Sequence, residues 1–181
     1  GTEQATINLA EWGADCLKVG LSNSKVCRTK HVTGVSTPMI STISECVYLS
    51  SVPIIADSGI ISSAHAAKAI GAGASLVMCG SLFAGCEETP PVVEMTKNNF
   101  MEDVVPYRGN ASRETMKLFR KPEETPTPEG VQIFVKRQGP AAEQLFYIRD
   151  GLKSAMSYSN ATSIKDFHDK VQFQIIKGVS Q

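Results

Sequence analysis

Residues 23–30 read NSKVCRTK, which puts Cys27 within three residues of Lys25, Arg28 and Lys30. A thiolate is a good nucleophile near neutral pH and a tolerable leaving group, and positive neighbours favour it over the thiol. Such a cysteine suits addition to an electrophilic carbon followed by release. Thr29, two residues on, carries a hydroxyl able to pass a proton. An arbitrary cysteine is more often an inert thiol, and basic side chains often point into water, so the elements around Cys27 decide between the two readings.

The first half of the chain alternates helix and strand periods. Residues 4–12 read as a helix with Ala5, Leu9 and Trp12 on one face and Gly13 as its stop. DCLKVG (15–20) reads as a strand and residues 40–50 as a helix. VPIIADSG (52–59) is the second strand. Ser62 or Ser63 caps the helix AHAAKAIGA. SLVMCG (75–80) is the third strand, and SLFAG opens another helix. Near-continuous apolar strands separated by helices predict an α/β fold with parallel strands covered on both faces. Each strand closes on a glycine, Gly20, Gly59 or Gly80, and glycine there lets the backbone approach a ligand closely. Three in succession favour a binding site over tight turns alone.

The second half differs. Residues 86–139 are rich in proline and acid and predict a loop-rich excursion with short strands such as VQIFVKR (131–137). Residues 140–158 return to helical spacing, with a core-packing stripe of Leu145, Ile148, Leu152 and Met156. A short helix and a peripheral strand are expected to close the chain.

Composition narrows the function classes. The 181 residues are 42% hydrophobic, and 18 basic side chains balance 18 acidic ones. That balance gives no reason to expect nucleic acid or an anionic membrane as partner. No apolar run approaches the ~20 residues of a membrane span. Five cysteines, without a C-x-x-C pair, suit reduced thiols in the cytoplasm. Cys16, Cys46 and Cys79 read as small core residues, and the scattered His31, His65 and His168 do not suggest a metal centre.

VGLSNSKVCRTK, TGVSTP, IIADSGI, KAIGAGASLVMCGSLFAG and YRGNAS, in this order, resemble the catalytic half of the IMP dehydrogenase and GMP reductase family. The resemblance implies a (β/α)8 TIM barrel, of which this chain holds the sixth to eighth strands while the first five lie outside it. It divides the chain into residues 1–85, a partial barrel with a catalytic loop at 20–38, residues 86–139, a flap excursion, and residues 140–181, a C-terminal helix and tail. Later segments, PEG (128–130), FVKRQGPAAEQL and LKSAMSYSNATSI, resemble GMP reductase more than the dehydrogenases. The Arg-Tyr pair with which dehydrogenases activate water does not occur in this sequence.

The implied reaction is reductive deamination of GMP to IMP with NADPH, through a covalent adduct on Cys27. NAD-dependent oxidation of IMP, or a silent nucleotide-binding homologue, are the alternatives. Thr29 and Glu129 match the proton-relay pair. Backbone N–H groups of Gly59, Gly80 and Ser81 match the phosphate site, the last two at a helix start. Asp57 matches the carboxylate for the ribose hydroxyls, with Ser58 beside it. Gly109, Asn110, Ala111 and Gly130 match contacts to the base. Asn110 and Ser154, Ala155, Met156 and Ser157 match contacts to the nicotinamide cofactor, made in relatives from a neighbouring subunit, so that a homotetramer is implied. A monovalent cation (K+) is implied at Gly20, Ser22 and Cys27. Four positions depart from the family pattern: Ser22, Ser24 and Ser58 stand where glycine is usual, and Met39 where glutamine is usual. A serine forced to positive φ at such a site costs ~1 kcal/mol or more.

Overall fold

The computed structural model describes residues 1–90, 104–119 and 127–174. Among these, three strands form a parallel sheet in sequential order: β1 (Leu17–Val19), β2 (Ile54–Asp57) and β3 (Leu76–Met78). The register pairs Leu17 with Ile54, Val19 with Ala56, Ile55 with Leu76 and Asp57 with Met78. Sequential parallel strands joined by right-handed crossovers place every connecting helix on one face. That is the local arrangement of a (β/α)8 barrel.

The helices start where side chains satisfy their free N–H groups. Helix α1 (Glu3–Glu11) begins at Thr2, whose hydroxyl accepts from Ala5 N at 3.3 Å. The five-residue α2 (Thr29–Thr33) and the longer α3 (Met39–Leu49) follow β1. Helix α4 (Ser63–Gly71) begins at Ser62, whose hydroxyl accepts from His65 N at 3.3 Å. An N-cap serine contributes about 1 kcal/mol.

Alternation along the strands sorts the core. Leu17, Val19, Ile54 and Ala56 are buried against the helices, where Ile43, Cys46, Ala66, Ala69 and Ala74 complete the packing. Lys18, Ile55, Asp57, Leu76 and Met78 share the opposite face. That face is open: Leu76 is 57% and Met78 43% exposed. Among the described residues, then, only one face of the sheet is covered. The opposite face points to the barrel interior, which the other strands of a closed barrel fill.

The apolar face of α1 is not the face that is buried. Trp12 and Leu9 are exposed, and it is Thr6 that is buried, 3.2 Å from Cys46 Sγ. Cys16 is exposed as well, whereas Cys46 and Cys86 are buried.

Residues 81–85 form turns, with Phe83 N and Ala84 N both bonded to Gly80 O at 3.1 Å, in place of the expected helix. The excursion contributes an antiparallel ribbon of β4 (Val104–Arg108) and β5 (Gln132–Lys136), then α5 (Arg113–Phe119) between them in sequence. Helix α6 (Ala141–Tyr158) starts where the Glu88 carboxylate accepts Ala141 N at 2.8 Å, and it lies on α4. Of its predicted stripe, Ile148 packs on the core, Leu152 and Met156 are half-buried, and Leu145 is exposed. Helix α7 (Ile164–Lys170) seats Phe167, 2% exposed, against Gly71. Residues 171–174 form no strand, and the rest of the expected terminal strand lies outside the described residues.

Candidate active site

The site is built where β1 and β2 end. Gly20 follows β1 at φ 141, and any Cβ there would collide with the carbonyl of Asp57, so only glycine lets the two strand ends close together. From Gly20 the chain loops out to Cys27. Cys27 N bonds back to Ser24 O at 3.2 Å, and α2 begins with Thr29.

The Cys27 sulfur lies 3.3 Å from Thr29 Oγ1 and 4.0 Å from Ser22 Oγ. Partial burial alone would push the Cys27 thiol up. The hydroxyl and N–H of Thr29, helped by those of Ser22, outweigh it and leave the thiol more acidic than an ordinary cysteine. Lys25, Arg28 and Lys30 are exposed. The cations that drew attention to this loop are thus not what acidifies it, because solvent screens them while the Thr29 hydroxyl sits against the sulfur.

The base of the β4–β5 ribbon docks onto this loop. Arg28 N donates to Glu129 O at 2.6 Å, Val131 N to Val26 O at 3.0 Å and Gly130 N to Ala111 O at 3.0 Å. A Cβ on Gly130 would stand 2.9 Å from Ala111 C and from Ser112 N, so glycine is required for this three-way contact. A cavity of ≈ 280 Å³ results. It brings together Gly20, Ser22, Cys27, Thr29, Asp57, Ser58, Gly109, Asn110, Ala111, Glu129 and Gly130, which the sequence had placed far apart.

Gly59, Gly80 and Ser81, matched to a phosphate site, are not among the residues that line it. A Cβ on Gly59 would lie 3.3 Å from Asn23 Cβ, so this turn touches the loop. The helix start expected at Gly80 and Ser81 is absent, so those N–H groups act as turn amides without a helix dipole behind them. Gly80 lies directly against the Tyr107 hydroxyl. Tyr107 was missed: YRGNAS was recognised, but only its Gly-Asn-Ala part was read. Burial, which a Ser24 hydrogen bond opposes and the Asp57 carboxylate reinforces, pushes the Tyr107 hydroxyl up. Asp57 keeps one oxygen, Oδ2, paired with Lys18 Nζ at 2.9 Å.

Of the residues matched to the nicotinamide cofactor, only Asn110 lines this cavity, and its exposed amide offers the donor and acceptor that a carboxamide needs. Met156 and Ser157 line a separate groove along α6, Ala155 lines a third, and Ser154 is exposed. Two of the serines in glycine positions do occupy left-handed backbone: Ser22 has φ 68 and Ser58 φ 97. For an L residue this costs about 1–2 kcal/mol. Ser22 sends its hydroxyl to Val35 O at 3.1 Å, and its backbone keeps the conformation glycine would take. Gly20 and Ser22, two of the three residues at which the resemblance implies a monovalent cation, both have positive φ.

An acidified thiol beside glycine turns at the carboxyl ends of parallel strands defines a class: (β/α)8-barrel proteins with a thiol-centred site at the mouth of the barrel. The family profile described as IMP dehydrogenase / GMP reductase domain matches residues 1–181, and the chain belongs to that family of purine-nucleotide oxidoreductases. It is 34% identical over 177 residues to GMP reductase of Chromobacterium violaceum, covering 97% of this chain and 53% of that protein. It is 35% identical over 193 residues to inosine-5'-monophosphate dehydrogenase of Methanocaldococcus jannaschii, covering 97% of this chain and 38% of that protein. A solved cysteine-to-alanine variant of GMP reductase from Trypanosoma brucei, in complex with guanosine 5'-monophosphate, superimposes with a TM-score of 0.88 at 32% identity. That match covers 98% of this chain and 37% of the other. The chain spans about half the length of the curated reductase it matches, and less of the other two. No helix among the described residues is long and apolar enough to cross a membrane.

Proposed function

We propose that the Cys27 cavity carries out NADPH-dependent reductive deamination of GMP to IMP. The observation that supports this reading most is the acidified Cys27 sulfur, 3.3 Å from Thr29 Oγ1, in one cavity with Glu129. The thiolate adds to carbon 2 of the guanine ring, and a ring nitrogen takes a proton. Glu129 passes a proton through the Thr29 hydroxyl to the amino group, which leaves as ammonia and leaves carbon 2 bound to sulfur. NADPH, when bound, supplies the hydride that carbon 2 receives. The carbon–sulfur bond then breaks, its electrons return to Cys27 as thiolate, the ring nitrogen gives back the proton it took, and IMP is released.

Binding follows from the residues around the thiol. Gly59, Gly80 and Ser81 N–H groups and the Tyr107 hydroxyl receive the phosphate. The free oxygen of Asp57 takes the ribose hydroxyls while Lys18 holds its other oxygen. Gly109, Asn110, Ala111 and Gly130 border the base. Asn110 faces the nicotinamide, and Ser154–Ser157 of a neighbouring subunit in a homotetramer complete the cofactor contact, consistent with their place on a different face from Cys27.

The dehydrogenase reading is kept because several inosine-5'-monophosphate dehydrogenases are as similar to this chain as the reductases are. The absence of the Arg-Tyr pair speaks for reductase. The test is the full-length protein given GMP with NADPH, and separately IMP with NAD. Oxidation of NADPH by GMP, lost in Cys27→Ala while GMP binding persists, is expected. Turnover with IMP and NAD alone, or full activity in Cys27→Ala, overturns the reading.

A further inference from the structure

Ser58 stands at φ 97, a conformation glycine adopts freely and serine does not. What serine adds there is a hydroxyl, and that hydroxyl has a partner: Asn23 N donates to Ser58 Oγ at 3.0 Å. Asn23 is itself the knot of the Cys27 loop. Its Nδ2 donates to Leu21 O and to Thr37 O, both at 2.9 Å, tying the loop's outgoing and returning arms. Four residues further on is Cys27, whose N–H closes the turn on Ser24 O. The strained serine and the knotted asparagine therefore join two segments 35 residues apart in sequence. One carries the thiol and the other the Asp57–Gly59 turn.

We propose that Ser58 is a positioning residue that fastens the Cys27 loop to the turn after β2, so that loop and turn are already assembled when a nucleotide arrives. A loop that must first be drawn onto the turn weakens apparent affinity by the fraction of time it is out of place. The latch removes that loss, and the left-handed backbone of Ser58 is the strain the fold accepts to place the hydroxyl under Asn23 N. The nucleotide part of this proposal rests on the function proposed above; the latch itself does not.

The test uses Ser58→Gly and Ser58→Ala in the full-length protein. Both remove the hydroxyl, but glycine also relaxes φ 97 while alanine keeps the strain. Hydrogen exchange at the Asn23 amide, measured without nucleotide, is expected to accelerate about fivefold or more in both, the loss of one ordinary hydrogen bond. The dissociation constant for GMP is expected to rise in both, by at most about threefold if the wild-type loop is assembled at least half the time. The thermal midpoint is expected to be higher for Ser58→Gly than for Ser58→Ala. A merely structural serine would make affinity follow the thermal midpoint and separate the two variants. Unchanged exchange at Asn23, or acceleration in Ser58→Gly alone, overturns the proposal, since the hydroxyl would then hold nothing. If GMP binds none of the three proteins, the nucleotide reading fails, and the exchange measurement still decides the latch.

Discussion

Thr29→Val probes the site most directly, because it removes one oxygen and little volume. The hydroxyl sits 3.3 Å from the Cys27 sulfur and stabilises the thiolate. A hydrogen bond to a charged group contributes about 1.5–3 kcal/mol. Cys27 is partly exposed, so water replaces some of the loss and the lower end applies. At 1.36 kcal/mol per pKa unit, the thiol should rise by about one unit. The sign is fixed: the wild-type thiol is held down, so its thiolate is present from a lower pH, and the variant needs a higher pH to reach the same fraction. Below both pKa values the thiolate fraction falls about tenfold. A more basic thiolate is intrinsically two- to threefold more reactive, with a Brønsted slope of about 0.4–0.5, which leaves a net loss of about fourfold. The assay is the rate of Cys27 alkylation by iodoacetamide, followed by mass spectrometry across pH in nucleotide-free protein. The midpoint should move to higher pH, and the plateau at high pH should match or exceed wild type. A midpoint unchanged within about 0.3 unit would refute the view that the hydroxyl, and not the neighbouring cations, acidifies Cys27.

Tyr107→Phe removes the one phenolic donor beside Gly80 and should weaken nucleotide binding about tenfold with little change in thermal midpoint, as read by calorimetric titration with GMP. Gly130→Ala places a Cβ 2.9 Å from Ala111 C and Ser112 N, and should cost about 1–3 kcal/mol in chemical denaturation while detaching the ribbon from the Cys27 loop. Neutralising all three loop cations, Lys25, Arg28 and Lys30, to glutamine should shift the alkylation midpoint less than Thr29→Val alone does, because all three are exposed.

The parallel strands were legible because their signal is local. LKV, IIAD and LVM are short apolar runs closed by glycine, and the structure places strands inside each predicted window. Ser62 was legible as a cap for the same reason. Strand β4 was not, since Pro106 demotes any strand reading and is tolerated only because a two-stranded ribbon has outer edges. SLFAG looked helical from composition, yet only a single turn forms, with Phe83 and Ala84 N–H both bonded to the Gly80 carbonyl and no helix continued from it. The exposure of Leu9 and Trp12 and the open sheet face were not legible, because periodicity says which residues share a face, not whether anything covers that face.

What the sequence by itself determined is the order of parts: three strand–helix units, a glycine at each strand end, a cysteine followed two residues later by threonine, and the motif order of one enzyme family. What only the tertiary structure decided is which groups touch the sulfur. Hydrogen bonds act over about 3 Å, whereas sequence proximity only limits how far apart two side chains are, so exposed cations three residues away contribute less than hydroxyls turned inward. The meeting of Glu129 with Cys27, of Tyr107 with Gly80 and of Asn23 with Ser58 required the chain to fold back on itself, and no local pattern records that return.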